Sequence, residues 1–134
     1  MKAMYCLRVT LLLSALLTAA CVACGGSPED ANAPRPAPSA SLDISAKDLK
    51  FDKKALAAPA HTDVTIHFVN DDGDLLHNVA LYRDKGAKEK VYAGELIKGK
   101  KTIDYRFTSP EAGTYYYRCD VHPDMSGVFY VGGP

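Results

Sequence analysis

Residues 64–70 read VTIHFVN, and their alternation of apolar and polar side chains is the clearest structural signal in the sequence. Val64, Ile66 and Phe68 recur with a period of two, as in a β-strand that buries one face. Several other stretches have a similar strand-like character. We predict strands over residues 42–51, 77–82, 101–108, 114–119 and 127–131.

Clusters of turn-forming residues separate these stretches. Asn, Asp, Gly, Ser, Pro and Lys concentrate at residues 70–74, 98–100 and 109–113, where they favour turns. Only residues 84–96 are ambiguous, between a helical turn and an irregular loop. Several short strands with regular turns predict an all-β fold, an antiparallel Greek-key β-sandwich or barrel.

The N-terminal residues have the layout of a secretory signal. Lys2 and Arg8 precede an apolar stretch that is too short to span a bilayer alone. We therefore interpret residues 1–20 as a signal peptide. Its end resembles a bacterial lipoprotein signal, in which a peptidase cuts before a cysteine that becomes lipid-modified. Cys21 is our choice for that cysteine and Cys24 the rival, and an ordinary cleaved signal without lipid is the alternative.

Residues 21–41 are rich in Pro, Ala and Ser and carry almost no large apolar side chain. Such a segment buries too little surface to offset its ordering entropy, so we expect an extended tether. The remaining residues, 42–134, form one small domain. This arrangement predicts an extracytoplasmic protein, in the periplasm or on the membrane surface of the cell envelope, held there by an N-terminal lipid anchor.

Composition limits the function classes. The chain of 134 residues has 16 basic and 16 acidic side chains and a formal net charge of zero. Proteins that bind nucleic acid usually carry a strongly basic face, so we expect no nucleic-acid partner. The four cysteines do not imply a disulfide framework, because Cys6, Cys21 and Cys24 precede the domain. Cys119 is the domain's single thiol.

One cluster of metal-ligand side chains surrounds this thiol. Residues 115–127 read YYYRCDVHPDMSG, which spaces Cys119, His122 and Met125 three residues apart. A further imidazole, His77, begins an earlier predicted strand. Strand parity places Cys119 and His77 on inward faces. Two strand ends can therefore aim a thiolate and an imidazole at the same end of the sandwich, and the short loop returns the other two side chains to it.

The chemistry of this donor set favours copper. A thiolate with two imidazoles and a weak axial thioether is typical of a blue-copper site. Calcium and magnesium prefer oxygen ligands. Zinc is able to use the thiol and the imidazoles, but a structural zinc site rarely takes a methionine. We therefore predict one type 1 copper per domain.

The domain resembles a cupredoxin, a small type 1 blue-copper protein of the plastocyanin, pseudoazurin and amicyanin kind. The resemblance rests on His77-Asn78-Val79 and on the Cys-x2-His-x2-Met loop, whose short spacing is most like amicyanin. It implies that His77, Cys119 and His122 are equatorial ligands and Met125 the axial ligand. It also implies that Asn78 ties the two ligand-bearing segments together, and that the protein is a monomer that transfers one electron at a time.

The resemblance further implies that His122 is the exposed edge through which electrons leave, within an apolar patch. The predicted patch consists of Leu75, Leu76, Val121 and Pro123. We expect an acidic rim around it, made of Asp71, Asp72, Asp74, Asp120 and Asp124. Lysines in other loops would give the domain a charge asymmetry; they are Lys85, Lys88, Lys90, Lys98, Lys100 and Lys101. The redox partner, a cytochrome or a copper enzyme, would dock near His122.

Other interpretations use the same residues. The protein could deliver, buffer or sense copper without carrying electrons, since the ligands would be the same. A Cys–His hydrolase would need an open cleft and an orienting third group, for which the sequence offers no clear candidate, so we expect no enzyme. Cys119 alone would be an inert buried thiol. His67 lies on the outward face of its strand and His61 in a turn, which predicts two surface histidines.

Overall fold

The computed structural model describes residues 34–132. Within that range the regular structure consists of strands, with no helix that could cross a membrane. The strands are β1 Ser41–Lys47, β2 Lys50–Phe51, β3 Ala55–Ala58, β4 Asp63–Asn70, β5 Leu76–His77, β6 Ala80–Tyr82, β7 Lys90–Ala93, β8 Ile97–Lys98, β9 Lys101–Thr108, β10 Gly113–Arg118 and β11 Ser126–Val131.

Two larger sheets form the sandwich. One has the strand order β2-β1-β4-β9 and the other β3-β11-β10-β6-β7, while β5 and β8 pair separately. The predicted all-β sandwich is confirmed. The sheets are mixed and not purely antiparallel, because β1 pairs with β4, and β3 with β11, in parallel. The two strands of each parallel pair are connected through strands of the other sheet, as a parallel connection requires a crossover.

Apolar side chains from both sheets fill the space between them. In β4, Val64, Ile66 and Phe68 are buried as the alternation predicts. Phe68 stacks on Tyr105 with 5.6 Å between ring centroids. Phe51 meets Tyr117 of the opposite sheet edge to face at 5.5 Å. Such aromatic pairs add to the stabilisation from buried area and fix the two sheets against each other.

Several parts of the fold differ from the sequence prediction. The strand predicted over residues 77–82 divides into β5 and β6, which belong to different sheets. The stretch 42–51 divides into β1 and β2 around Asp48 and Leu49, whose φ angles are 51° and 58°. The ambiguous stretch 84–96 contains β7, an edge strand that pairs with β6 through an irregular register. Strand β3 was not predicted, since its sequence ALAA has little intrinsic strand preference. It forms by pairing along its whole length with β11.

The chain enters the sandwich at the end opposite Cys119. Ser41 begins β1 beside Thr65, near the start of β4, whereas Cys119 follows the last residue of β10. The described part of the predicted tether lies against the same distal end. The Ser39 N–H donates to the Ala57 carbonyl at 3.0 Å, and the Arg35 guanidinium lies 4.6 Å from the Tyr130 ring centroid. The signal peptide and both candidate lipidation cysteines lie outside the described residues.

Candidate metal centre

Three chain segments supply the side chains of the site. His77 is the last residue of β5, Cys119 follows β10 directly, and His122 lies in the short loop before β11. Strand β10 pairs with β6 so that Arg118 faces Ala80. This register brings the end of β10 beside the segment that follows His77, as strand parity suggested.

The three side chains converge. Cys119 Sγ lies 3.7 Å from Nδ1 of His77 and 3.7 Å from Nδ1 of His122. The two Nδ1 atoms are 3.2 Å apart. His77 and Cys119 are fully buried, whereas His122 is partly exposed. Within residues 34–132 this is the one group of three or more His, Cys, Asp or Glu side chains with ligand atoms close enough to hold a metal ion.

The triangle of donor atoms matches the size of a bound metal ion. A point in its plane equidistant from the three atoms lies about 2 Å from each, close to metal–nitrogen and metal–sulfur bond lengths of about 2.0–2.3 Å. The donors are one sulfur and two imidazole nitrogens, a combination that suits copper in both oxidation states. Geometry and chemistry therefore both fit a copper ion.

Met125 closes the loop that carries His122. Its N–H donates to the His122 carbonyl at 2.9 Å, and its carbonyl accepts the Cys119 N–H at 3.0 Å. The side chain is buried. These backbone bonds hold the Cys-x2-His-x2-Met loop in a tight turn at the end of β10. The role of the Met125 thioether as axial ligand stays a prediction from the family resemblance.

Asn78 joins the two ligand-bearing segments. Its Oδ1 accepts the Asp120 N–H at 2.9 Å, and its Nδ2 donates to the Gly94 carbonyl at 2.9 Å and to Asp120 Oδ2 at 3.0 Å. Asn78 follows His77 directly and Asp120 follows Cys119 directly. The structure thus confirms the expected tie between these segments.

Asp72 does not belong to an exposed acidic rim, contrary to the prediction. Its side chain is nearly buried, with 9% of the residue exposed. Oδ1 accepts the Asp48 N–H at 2.7 Å, and Oδ2 lies 2.7 Å from His77 Nε2. Burial alone would raise the pKa of Asp72, but these hydrogen bonds and that of the Leu49 N–H hold it below its ordinary value. Sequence reasoning missed this contact because side chains in a turn follow no fixed period.

Asp120 also faces inward in part. Its carboxylate accepts the Tyr82 hydroxyl and the amide of Asn78, and Lys90 Nζ lies 3.2 Å away. Burial acts to raise the pKa of Asp120, and these three partners lower it by more. The rim prediction is therefore wrong for two of its five aspartates, because both have internal hydrogen-bond partners. Asp71, Asp74 and Asp124 are exposed.

Apolar side chains remain exposed around the site. All four residues of the predicted patch are exposed: Leu75, Leu76, Val121 and Pro123. Leu49 and Leu96, which sequence reasoning missed, are exposed as well. The exposed large hydrophobic side chains in the described range, which we call the end patch, are Leu49, Leu75, Leu76, Leu96 and Val121. Exposed apolar side chains near a buried site are typical of a docking surface.

Two of the lysines that we expected to lie away from the site are close to it. Lys98 pairs with Leu76, and Lys101 pairs with Asn70 at the end of β4. Both therefore lie at the same end of the sandwich as His77. Exposed Asp71 and Asp74 occupy the loop between those pairs. Charges of both signs surround the end patch, so the predicted asymmetry does not apply to Lys98 and Lys101.

The fold and the donor set together define a class, the β-sandwich with a type 1 copper site at one end. The family model for the cupredoxin-like domain matches residues 11–131 of this chain. The chain belongs to the cupredoxin family.

Two curated relatives are an auracyanin and an amicyanin by name. Auracyanin-A of Chloroflexus aurantiacus is 30% identical over 119 residues, covering 68% of this chain and 74% of the relative. Amicyanin-alpha of Methylorubrum extorquens is 32% identical over 95 residues, covering 71% and 75%.

Solved structures agree on the fold. Reduced auracyanin of Roseiflexus castenholzii superposes with a TM-score of 0.64 at 21% identity, covering 71% of this chain and 98% of its own. Auracyanin A of Chloroflexus aurantiacus, described as a blue copper protein, gives 0.61 at 27% identity, covering 69% and 98%.

Proposed function

We propose that this protein is a blue-copper electron carrier that cycles one copper between Cu(II) and Cu(I) between extracytoplasmic redox partners. The observation that carries the proposal is the triangle of Cys119 Sγ and the Nδ1 atoms of His77 and His122, with sides of 3.7, 3.7 and 3.2 Å. Bound copper supplies the one-electron change, and the chain supplies fixed donors. We propose a carrier and not an enzyme, because a fourth donor from Met125 would leave no open position for a substrate.

The donors are held by contacts that do not involve a metal. His77 is fixed through Nε2 by Asp72, and Cys119 by its N–H bond to the Met125 carbonyl. The hydrogen bond from the Asp120 N–H to Asn78 Oδ1 holds the two ligand-bearing segments at a fixed distance. A site held in this way changes little when the charge of the ion changes, which favours rapid one-electron exchange.

Burial favours a carrier over a copper-delivery protein. His77 and Cys119 are fully buried, so an acceptor site has no direct access to two of the donors. His122 is the partly exposed ligand, and Val121 of the end patch precedes it directly in the chain. We propose that a redox protein, a cytochrome or a copper enzyme, docks on this patch, and that an N-terminal lipid anchor keeps the carrier at the cell envelope.

The visible absorption spectrum after addition of one equivalent of Cu(II) to the purified protein tests the proposal. We expect an intense blue thiolate-to-copper band that ascorbate bleaches and reoxidation restores. Cys119→Ala should abolish the band, whereas His67→Ala, which changes an exposed histidine on β4, should keep it. A colourless protein, or one with weak d–d absorption alone, would contradict the proposal. Loss of copper to a chelator during redox cycling would favour copper delivery instead.

A further inference from the structure

The carboxylate of Asp72 contacts one ligand side chain on the face turned away from the other donors. Its Oδ2 lies 2.7 Å from Nε2 of His77, while Nδ1 of the same ring lies 3.7 Å from Cys119 Sγ. His77 has no exposed surface, so water does not compete for either nitrogen. The imidazole is thus held between a carboxylate and the predicted metal position.

This contact selects one tautomer of the neutral imidazole. An ionised carboxylate only accepts hydrogen bonds, so Nε2 must carry the proton that it donates to Asp72. Nδ1 then keeps its lone pair and directs it at the position between Cys119 and His122. A ligating histidine needs this lone pair, and the hydrogen bond at its other nitrogen fixes which atom binds.

The backbone holds Asp72 in place. Its two carboxylate oxygens accept the N–H groups of Asp48 at 2.7 Å and Leu49 at 3.3 Å. Both donors lie in the turn between β1 and β2 and have left-handed φ angles, which L-residues adopt at a cost. The Asp72 N–H donates to Asn70 Oδ1 at 3.0 Å. A carboxylate with this many partners is a rigid support and not a mobile surface group.

The geometry points to Asp72 as a positioning residue that holds His77 in its Nε2–H tautomer and strengthens its Nδ1 as a donor to Cu(II). A carboxylate bonded to the distal nitrogen raises the basicity of an imidazole ligand, which favours the more highly charged copper ion. The inference rests on the metal site of the proposed function but not on electron transfer between proteins.

The tautomer is measurable without any metal. Long-range ¹H–¹⁵N correlation spectra of the metal-free protein distinguish a protonated from an unprotonated ring nitrogen. We expect the neutral imidazole of His77 to carry its proton on Nε2 and to leave Nδ1 bare. An Nδ1–H tautomer, or a rapidly exchanging mixture, would overturn the proposal even if the copper-loaded protein is blue.

Asp72→Asn tests the effect on the metal. An amide replaces one acceptor oxygen by an NH₂ donor, so a donor must then face either the Asp48 N–H or His77 Nε2–H. Asp74→Asn is the matched control, because Asp74 is exposed in the same loop and the change in charge is the same. Both variants are titrated with Cu(II) and with Cu(I) against chelators of known affinity, and their reduction potentials are measured.

We expect the Cu(II) affinity of Asp72→Asn to be about 10–100-fold below that of Asp74→Asn. The Cu(I) affinity should fall less, and each tenfold difference between the two losses raises the reduction potential by about 59 mV. Equal affinities and potentials in the two variants would overturn the proposal while leaving the electron-carrier function intact. If Asp72→Asn does not fold, the tautomer of the wild-type protein decides.

Discussion

The amide of Asn78 bonds Asp120 twice, once to its backbone N–H at 2.9 Å and once to its carboxylate at 3.0 Å. Each of these residues follows a predicted copper ligand. The pair therefore acts as a bracket between the two ligand-bearing segments, and it helps to set the distance between His77 and Cys119. The third bond of Asn78, to the Gly94 carbonyl, anchors the bracket to the loop after β7.

Asn78→Ala should destabilise the metal-free protein by about 2–3 kcal/mol, since it leaves the Gly94 carbonyl and the Asp120 N–H without their partner in a buried region. Urea unfolding followed by fluorescence or circular dichroism measures this loss. Thr102→Ala, an exposed change on β9, serves as control. A loss for Asn78→Ala no larger than for the control would show that the bracket is dispensable.

Gly127→Ala should destabilise the protein by about 1–3 kcal/mol or more. A Cβ at this position would overlap the ring of Tyr117 and would lie 2.7 Å from the Lys54 carbonyl. The Tyr117 ring is unable to retreat, because it is fully buried and its hydroxyl donates to the Lys53 carbonyl at 2.7 Å.

Gly73→Ala is the matched control for this change, because a Cβ there meets no atom within 4 Å. Chemical unfolding of both variants gives the comparison. Equal unfolding midpoints would contradict the prediction. They would mean that β10 and β11 can move apart at Tyr117 and Gly127 at little cost in stability.

Leu96→Glu should slow electron self-exchange between oxidised and reduced copper-loaded protein by about tenfold or more, since a carboxylate would lose hydration when two end patches meet. NMR line broadening at intermediate oxidation measures the rate. Ser41→Glu adds the same charge at the distal end and should have a small effect that high salt removes. Similar slowing by both variants would argue against docking at the end patch.

Asp52 should contribute to the pH dependence of stability. Burial acts to raise the pKa of Asp52, but the hydrogen bond from the Ser45 N–H at 2.7 Å and the ion pair with Lys53 hold it below its ordinary value. A folded-state pKa below the unfolded one gives stability that is present above the unfolded value and lost as the pH falls through the folded value.

Asp52→Asn should therefore be less stable than the wild type at pH 7, with a difference that shrinks below about pH 4. Unfolding free energies of both proteins between pH 2 and pH 7 test this expectation. A difference that stays constant over the whole range would contradict it.

The sequence alone predicted the parts of the fold that follow a period. The alternation in VTIHFVN correctly marks the inward side chains of β4, and the parity of residues 115–119 correctly places Cys119 inside. The spacing of Cys119, His122 and Met125 indicates copper because few sites combine these donors. These features are local, so neighbouring residues contain the necessary information.

The structural features that depend on contacts between residues far apart in the sequence were not predicted. Strand β3 exists because β11 offers it an edge, and Asp72 is inward because a turn 23 residues earlier supplies an N–H at 3.3 Å. Leu96 joins the end patch through the pairing of β8 with β5. None of these contacts produces a periodic pattern of residue types in the sequence.

The entry of the chain at the distal end would give a lipid-anchored form of this protein a defined orientation. Because the described chain begins beside Tyr130 and Ala57, at the end opposite Cys119, a pull from an N-terminal lipid anchor would turn His122 and the end patch away from the bilayer. Such a carrier would meet soluble partners, or partners that project well beyond the lipid headgroups, more readily than proteins embedded flush with the membrane.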